Sequence, residues 1–338
     1  MNILVTGGAG YIGSHTCLEL LNEGHKVIVI DNLCNSSINS IERIESLTST
    51  SIPFYKINVG DKIELIKVFE MHNIHGVIHF AGLKAVNESV ENPFKYYENN
   101  VQSSFVLVEV MKKFDCKTIV FSSSATVYGK PHKLPIKEDC PLNPTTPYGN
   151  SKIVVENFLK DIFASDNNWK IAILRYFNPV GAHKSGMIGE DPSGVPNNLM
   201  PYISQVAIGK RKKLSVFGGD YKTKDGTGIR DYIHVVDIAK GHIKSLEAIN
   251  NNSQIFTLNL GTGKGYSVLE IVNKFESVAG QKINYDIIDR RPGDIAECYA
   301  NPILAEKLIG WKSRYKLSEM CEDTWRWQMM NPNGYAND

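Results

Sequence analysis

Short apolar runs recur through the first half of the chain, each separated from the next by a stretch of polar and mixed residues. The runs are apolar throughout rather than alternating, which is the pattern of parallel strands buried on both faces. Six strands are predicted in this way, over residues 3–6, 26–31, 54–59, 77–80, 118–122 and 171–177.

Helical periodicity fills most of the gaps between these strands. Helices are predicted over 13–23, 62–72, 93–114 and 148–165. In the second of them, Ile63, Ile66, Val68 and Phe69 are available to the buried side. Strands alternating with helices, joined by right-handed crossovers, predict an α/β fold with a doubly wound parallel sheet of the Rossmann type.

The amino-acid composition changes after Phe177, where residues 178–201 are rich in Gly, Pro, Asn and Asp. Beyond them, helices are predicted over 197–209, 237–249, 268–279 and 317–329, and strands over 214–217, 256–260 and 283–288. We therefore expect two domains, a sheet domain over residues 1–177 and a smaller α/β C-terminal domain over residues 178–338.

Composition narrows the class of protein. The 338 residues carry a formal net charge of +1 and are 42% hydrophobic, which excludes a disordered chain and argues against nucleic acid as a partner. No apolar run reaches the ~20 residues needed to cross a bilayer, and the N-terminus has no signal-peptide pattern, so neither a membrane nor secretion is expected. The cytoplasm is the simplest location.

Metal chemistry is not expected either. The six cysteines form no C-x-x-C pair, and His72, His75 and His79 are separated by strand and helix periods that point them in different directions.

A glycine-rich turn follows the first predicted strand. Gly7, Gly10 and Gly13 lie between that strand and a helix, where backbone without Cβ atoms can approach a pyrophosphate and free N–H groups face it. Asp31 ends the second strand, in position to bind the adenosine ribose hydroxyls. Because a carboxylate there disfavours a 2′-phosphate, the predicted cofactor is NAD rather than NADP.

A second set of residues suits proton transfer. The fifth strand runs into Ser122 to Ser124, and Tyr148 and Lys152 are four residues apart on one helix face. A free phenol has a pKa of about 10 and is a poor base at neutral pH. A nearby ammonium and a positive nicotinamide ring would both favour the phenolate, so Tyr148 is predicted to have a lowered pKa.

At this point the chain resembles the extended short-chain dehydrogenase/reductases and, among them, the UDP-glucose 4-epimerase family. The resemblance covers essentially the whole chain. The matching stretches are VTGGAGYIGSHT (5–16), DNLCNS (31–36), VIHFAGLKAV (77–86), FSSSATVYG (121–129), PYGNSK (147–152), RYFNPVGAH (175–183), PNNLMPYI (196–203), GTGIRDYIHV (226–235) and RRPGD (290–294).

The resemblance implies a reaction and its catalytic residues. In this family NAD stays bound and is reduced and reoxidised in each catalytic cycle. A transient 4-keto sugar rotates in the site and is reduced on its other face. Carried over, Tyr148 takes the proton of the sugar 4-OH, Ser124 binds the 4-oxygen, and Lys152 holds the nicotinamide ribose. The family also implies a homodimer that packs the helices over 93–114 and 148–165 against their mates.

The resemblance also assigns binding residues. The cofactor residues are Gly7, Gly10, Tyr11, Ile12, Gly13, Asp31, Asn32, Asn35, Ser36, Asn58, Val59, Phe80, Ala81, Lys84, Asn99, Ser122, Tyr148, Lys152 and Phe177. The family often has Asp at the position of Asn58, against the adenine amino group, and the Asn carboxamide oxygen can accept the same hydrogen bond.

The residues for a UDP-sugar substrate follow from the same resemblance. They are Ser124, Tyr148, Tyr176, Asn178, Asn198, Leu199, Phe217, Arg230, Arg291, Asp294 and Cys298. The two arginines suit a pyrophosphate, and Asp294 suits the uridine ribose. Cys298 stands where narrow-specificity members have a bulky Tyr, which implies room for N-acetylated sugars unless Tyr299, one position on, fills the pocket.

Two other functions stay open at this level. A 4,6-dehydratase usually carries an Asp-Glu pair after the strand-end Ser or Thr, whereas Ser124 is followed by Ala-Thr-Val; a sugar-nucleotide decarboxylase is a related alternative. A non-catalytic NAD-binding sensor would typically lose the Tyr or the Lys, and this chain has both.

Overall fold

Thirteen strands and twelve α-helices are present in the computed structural model, which describes residues 1–251, 254–291 and 293–336. The strands are β1 (Asn2–Thr6), β2 (Lys26–Ile30), β3 (Phe54–Tyr55), β4 (Gly76–His79), β5 (Thr118–Ser124), β6 (Lys170–Tyr176), β7 (Asn178–Val180), β8 (Leu214–Phe217), β9 (Ile229–His234), β10 (Ile255–Leu260), β11 (Gly265–Ser267), β12 (Tyr285–Ile288) and β13 (Glu297–Cys298).

The α-helices lie between and after these strands. They are α1 (Tyr11–Asn22), α2 (Asn39–Thr48), α3 (Lys62–Met71), α4 (Val86–Glu91), α5 (Pro93–Tyr96), α6 (Ser103–Lys113), α7 (Pro147–Ser165), α8 (Leu199–Ala207), α9 (Val235–Asn251), α10 (Val268–Ala279), α11 (Ile303–Ile309) and α12 (Leu317–Met330). None of the helices in these described ranges is long and apolar enough to cross a membrane.

The large sheet confirms the predicted fold class. Its seven parallel strands have the order β10-β6-β5-β4-β1-β2-β3, so the chain moves outward from β1 in one direction and then in the other. Alternate residues of β1 belong to different cores: Ile3 and Val5 face one helical layer, and Leu4 faces the other. Burial on both faces explains why the strand sequences are apolar at every position.

The long helix predicted over 93–114 is wrong, because the segment is broken into three parts. A π-helical turn over Tyr97–Gln102 separates α5 from α6. Inside it the buried Asn100 side chain accepts a hydrogen bond from the Leu83 backbone N–H at 2.8 Å and donates to the Leu83 carbonyl at 3.0 Å. Side-chain bonds to a neighbouring loop therefore accompany the wider turn, a feature frequent near functional sites.

Two smaller expectations are also wrong. The strand predicted over 54–59 pairs with β2 only at Phe54 and Tyr55. In α3, Ile63 is 70% exposed, and Leu65 is the residue that is fully buried with Val68 and Phe69.

The seventh strand of the large sheet comes from the second half of the chain. β10 pairs with β6 from Ile255 to Leu260, and α9 packs against α1. β9 pairs with β7, β11 and β13, while β8 pairs with β12. The division at 177/178 remains a prediction, since the chain returns to the large sheet after that point.

Candidate active site

The glycine loop lies at the carboxyl end of β1, where it leads directly into α1. Gly7 has φ +69°, and a Cβ there would come within 2.7 Å of the Ala81 backbone nitrogen. A Cβ on Gly13 would collide with the Gly7 carbonyl oxygen. The loop therefore needs glycine for its own packing, and it presents the N-terminus of a twelve-residue helix with no side-chain cap. Such a cradle fits a dinucleotide pyrophosphate.

Asp31 lies at the carboxyl end of β2, next to this loop. It is 8% exposed, and its carboxylate accepts hydrogen bonds from the Ala9 N–H (3.1 Å), the Leu33 N–H (2.9 Å) and the Ser36 hydroxyl (2.8 Å). These bonds tie the acid to the glycine loop and to the segment of predicted residues Asn32, Asn35 and Ser36. A fixed buried carboxylate repels a 2′-phosphate and accepts ribose hydroxyls.

The remaining predicted cofactor residues lie at the same edge of the sheet. Three of them follow β4, namely Phe80, Ala81 and Lys84, and two follow β3, namely Asn58 and Val59. Ser122 lies near the carboxyl end of strand β5, and Phe177 follows β6. The Asn58 carboxamide oxygen already accepts a hydrogen bond from the Gly60 N–H at 2.8 Å, which leaves it one further lone pair for adenine. Asn99 lies in the π-helical turn, and Tyr11 donates from its hydroxyl to the Gly181 carbonyl at 2.6 Å.

Tyr148 and Lys152 face the end of β5, as predicted from their spacing. α7 begins at Pro147, and its N-cap Thr146 accepts a hydrogen bond from the Gly149 N–H at 3.3 Å. The Lys152 ammonium donates to the Ser122 carbonyl at 2.9 Å, and the Tyr148 phenol lies close to the Ser124 side chain. Both side chains are almost fully buried, at 5% and 6% exposed.

One polar group at this edge has no partner. The Ser122 hydroxyl is buried and makes no hydrogen bond of acceptable geometry to any described residue, although the Tyr176 hydroxyl approaches it. Because buried hydroxyls are normally satisfied, this atom is free for a ligand that sits between the glycine loop and Lys152. The cradle and this hydroxyl together fit bound NAD.

The pKa of Tyr148 differs from the sequence prediction. Burial raises it well above its usual value, the neighbouring Tyr176 adds to the increase, and the Ser124 hydrogen bond opposes it. Lys152 does not reverse this, although its ammonium lies 5.9 Å from the centroid of the Tyr148 ring. The expected lowering of the Tyr148 pKa is therefore wrong for the protein chain itself, because desolvation outweighs the neighbouring charge.

Burial lowers the pKa of Lys152 to about 8, an effect that Glu156 opposes. The unfolded chain keeps a lysine pKa near 10.4, so the folded state binds fewer protons between about pH 8 and 10. Below pH 8 the buried ammonium destabilises the fold, and the penalty falls as pH rises through this range. We expect Lys152→Met to raise the free energy of unfolding of nucleotide-free protein by about 1–3 kcal/mol at pH 7.

Urea unfolding at pH 7 and pH 9.5 measures this effect. The difference in free energy of unfolding between Lys152→Met and the parent should be smaller at pH 9.5 than at pH 7. If Lys152→Met is less stable than the parent at pH 7, the buried Lys152 ammonium does not destabilise the fold.

The predicted substrate residues form a second group on β9 and the loops beside it. The Asp294 carboxylate lies 2.9 Å from the Arg291 Nε and 3.6 Å from an Arg230 nitrogen, so one acid holds both guanidinium groups. The Arg291 guanidinium lies 4.7 Å from the centroid of the Phe217 ring. Pro292, in the middle of this RRPGD motif, lies outside the described residues. Two arginines, one of which lies over an aromatic ring, suit a diphosphate next to a planar base.

Cys298 ends β13 and Tyr299 follows it, so their side chains are expected on opposite faces of the extended chain. Cys298 pairs with Arg230 across the strands, and its side chain packs in the cluster that contains Phe177. The Tyr299 ring lies against Gly265 on the other side. This placement favours Cys298 over Tyr299 as the residue on the Phe177 side, and the role of Cys298 at the sugar stays a prediction.

A residue that the sequence reasoning missed connects the two groups. The largely buried Glu190 carboxylate lies 3.2 Å from the Lys84 ammonium and accepts a hydrogen bond from the Asn198 amide at 2.7 Å. It joins a predicted cofactor residue to a predicted substrate residue. The sequence could not indicate Glu190, because it lies in the Gly- and Pro-rich segment 178–201, which has no helical or strand periodicity. Of the other predicted positions, Asn178 starts β7 beside β9, and Leu199 starts α8.

The three histidines that were not expected to bind a metal have separate hydrogen-bond partners. His72 bonds the Tyr55 hydroxyl at 2.7 Å, His75 accepts from the Asn2 N–H at 2.8 Å, and His79 is buried between two hydroxyl groups.

Fold and site together define a dinucleotide-binding protein of the extended short-chain dehydrogenase/reductase class, with a Tyr–Lys pair at the cofactor edge and a second group in which Asp294 holds two arginines. The sequence profile of the family described as GDP-mannose 4,6 dehydratase matches residues 4–324. A UDP-glucose 4-epimerase of Bacillus subtilis is 57% identical over 337 residues, covering 100% of this chain and 99% of that protein. The chain belongs to this family and, within it, to the UDP-glucose 4-epimerases.

Solved structures agree with this placement. The UDP-glucose 4-epimerase of Bifidobacterium longum, in complex with NAD+ and UDP, has a TM-score of 0.96 and 52% identity, covering 99% of this chain and 100% of that one. The UDP-Glc/GlcNAc 4-epimerase of Campylobacter jejuni has a TM-score of 0.85 and 35% identity, covering 97% and 99%. The resemblance drawn from the sequence motifs is thereby confirmed.

Proposed function

We propose that this protein is an isomerase that interconverts UDP-glucose and UDP-galactose by inverting C4 of the hexose, with NAD held tightly throughout. The observation that carries the proposal is the buried Tyr148, which lies close to Ser124 and beside Lys152 at the edge of the glycine loop. Membership of the UDP-glucose 4-epimerases supports the choice of substrate.

NAD would be held by the glycine loop at its pyrophosphate, by Asp31 at its adenosine ribose and by Lys152 at its nicotinamide ribose. When bound, it supplies a reversible acceptor for the C4 hydrogen and a positive ring near the Tyr148 phenol. Lys152 enters this site already oriented, because its ammonium is fixed on the Ser122 carbonyl. The free Ser122 hydroxyl is a further donor on the same side.

Tyr148 does the proton transfer. As a phenolate it takes the proton of the sugar 4-OH while the C4 hydrogen departs, which leaves a 4-keto sugar, and as a phenol it returns the proton when the alcohol is formed again. Ser124 holds the 4-oxygen in both states. A base that is also the acid of the reverse step must keep its proton out of bulk water, and the burial of Tyr148 provides this.

The nucleotide part of the substrate is held more firmly than the sugar. Arg230, Arg291 and Asp294 bind the UDP end, far from the bond that changes, so their contribution is the same for both sugars. Inversion with a single acceptor requires the keto sugar to present both faces. A loosely held hexose attached to a fixed diphosphate meets this requirement.

A dehydratase is the strongest alternative, since the matching family profile is described by that reaction. The residues after Ser124 argue against it. Ala125–Tyr128 form a 3-10 turn with no acid, so no Asp-Glu pair is placed to remove water from C5 and C6. The missing Asp-Glu pair is only weak evidence against a decarboxylase. The relatives, which are UDP-glucose 4-epimerases at 57% identity, favour an epimerase over a decarboxylase. A non-catalytic sensor has no need of the intact Tyr148–Lys152 arrangement.

N-acetylated UDP-hexoses are proposed as additional substrates. The Cys298 side chain packs in the cluster that contains Phe177 and pairs with Arg230 across the strands. A thiol is smaller than the phenol ring that narrow-specificity members of the family have at this position, which supports the proposal. The Campylobacter jejuni neighbour, described as acting on Glc and GlcNAc forms, supports this extension.

A homodimer is proposed through the face of α5, α6 and α7. Phe94 is 76% exposed, and Tyr97, Phe105 and Val154 on the same helical layer are each more than one-third exposed. The rings of Phe105 and Phe158 lie 4.4 Å apart across α6 and α7, so one continuous apolar face spans both helices. A cytoplasmic location remains the expectation of the sequence, and the six free thiols are compatible with it.

The cofactor assignment gives a direct prediction. Denaturing the purified protein should release a nucleotide with the mass of NAD, and the native protein should convert UDP-glucose without any added cofactor. Release of NADP, or activity that depends on added NADP, would overturn the interpretation of Asp31.

A further inference from the structure

One buried ion pair touches the site from behind and has no part in the proposed chemistry. Glu156 on α7 and Arg175 on β6 are both almost completely buried. The Arg175 Nε donates to one Glu156 oxygen at 2.9 Å and its Nη2 donates to the other at 2.5 Å. Removing charges from water is costly, so such a pair needs a geometric reason to be kept.

The position of Glu156 gives the buried ion pair a structural role. Tyr148, Lys152 and Glu156 are spaced by four residues, so they form one stripe along α7. The Ser123 hydroxyl donates to Glu156 at 2.6 Å. Ser123 lies between Ser122, whose carbonyl accepts from Lys152, and Ser124, whose side chain lies close to the Tyr148 phenol. Glu156 thus joins α7 to the strand end that carries both contacts.

Arg175 extends the same network to the loop after β5. It donates from Nη1 to the Tyr128 hydroxyl at 3.0 Å and to the Glu138 carbonyl at 3.2 Å, and the Tyr128 hydroxyl donates to Asn259 at 2.7 Å. The Glu156 carboxylate therefore accepts one hydrogen bond from Ser123 and two from an Arg175 side chain that is itself fixed by these further bonds.

We propose that Glu156 is a positioning residue for epimerisation, which fixes α7 against the end of β5 and places a buried carboxylate one helical turn from Lys152. This inference rests on the proposed function, since it takes the Tyr148–Lys152 pair as the reacting edge.

The groups that face Lys152 agree with this role. From α7 these are Glu156 and the Tyr148 phenol, and from β4 the group is His79. Burial lowers the pKa of His79 to about 3, so it stays neutral in the working range. Glu156 alone opposes the desolvation of Lys152 among the described residues.

The test is the pH profile of kcat in the holoenzyme. We expect Glu156→Gln to move the alkaline limb toward lower pH by roughly one unit, because the neutral amide no longer favours the ammonium. Glu156→Asp keeps the charge and should keep the limb near that of the parent. Ser123→Ala removes one hydrogen bond and no charge, so it should lower kcat by a similar factor at every pH. A limb that stays in place in Glu156→Gln would overturn the proposal.

Two further arms keep the test decisive. If Glu156→Gln fails to fold around the unpaired Arg175, the test uses Arg175→Met and Glu156→Gln/Arg175→Met. These two variants differ only at Glu156, so the alkaline limb of the double variant must lie at lower pH than that of Arg175→Met. An NMR titration of lysine 13Cε, with the Lys152 signal assigned by its absence from Lys152→Met, reports the lysine directly. Its pKa should be lower in the Gln variant, and an equal value in parent and variant would refute the proposal. This readout needs no turnover, so a parent without epimerase activity would refute the proposed function separately.

Discussion

Tyr148→Phe is expected to lower kcat for UDP-glucose epimerisation by about 10²- to 10⁴-fold, the usual contribution of a positioned acid–base group. The ring and its packing against Tyr96 remain, because only the hydroxyl beside Ser124 is lost. Since Arg230, Arg291 and Asp294 hold the nucleotide elsewhere, the Kd for UDP should change little. Initial rates together with UDP titration measure the two quantities.

Tyr96→Phe is the matched control. Tyr96 is buried with its ring 6.5 Å from that of Tyr148, but its hydroxyl donates to the Ala85 carbonyl and not to the site. It should retain most of the parent activity. If Tyr148→Phe remains within about tenfold of the parent, Tyr148 is not the principal base.

Cys298→Tyr should depress epimerisation of UDP-GlcNAc and UDP-GalNAc by roughly tenfold to a hundredfold while sparing UDP-glucose and UDP-galactose. The reason is steric, because a phenol at the Phe177 cluster fills the volume that an acetamido group needs. The ratio of kcat/KM for the N-acetylated and plain substrates measures it.

Cys298→Ala is the control for loss of the thiol, and it should leave both reactions in place. Tyr299→Phe controls for a change at the neighbouring position, since that ring lies against Gly265. A parent with no N-acetyl activity, or a Tyr variant in which both reactions fall together, would refute the role of Cys298.

The parts of the site that could be predicted from the sequence are those with local signals. Strand, glycine turn, helix and Asp31 follow one another within the first 31 residues, and the structure places them as a single cradle. Tyr148 and Lys152 depend only on helical spacing, and α7 does bring both to the end of β5.

The parts that could not be predicted depend on contacts between distant segments. The π-helical turn over Tyr97–Gln102 accompanies side-chain bonds from Asn100 to Leu83, which no periodicity reveals. The sign of the Tyr148 pKa shift depends on how deeply the phenol is buried, and the sequence indicates the neighbouring charges but not the burial. Glu190 and Glu156 act through partners in other elements, so their roles became visible only with the fold.

The central claim is inversion at C4 with an internal cofactor. The most direct measurement incubates the purified protein, with no added NAD, separately with UDP-glucose and UDP-galactose, and follows both by chromatography and mass spectrometry. We predict that the two reactions converge on the same mixture of the two sugars with no change in mass. A product lighter by one water, or no conversion in either direction, would contradict the account.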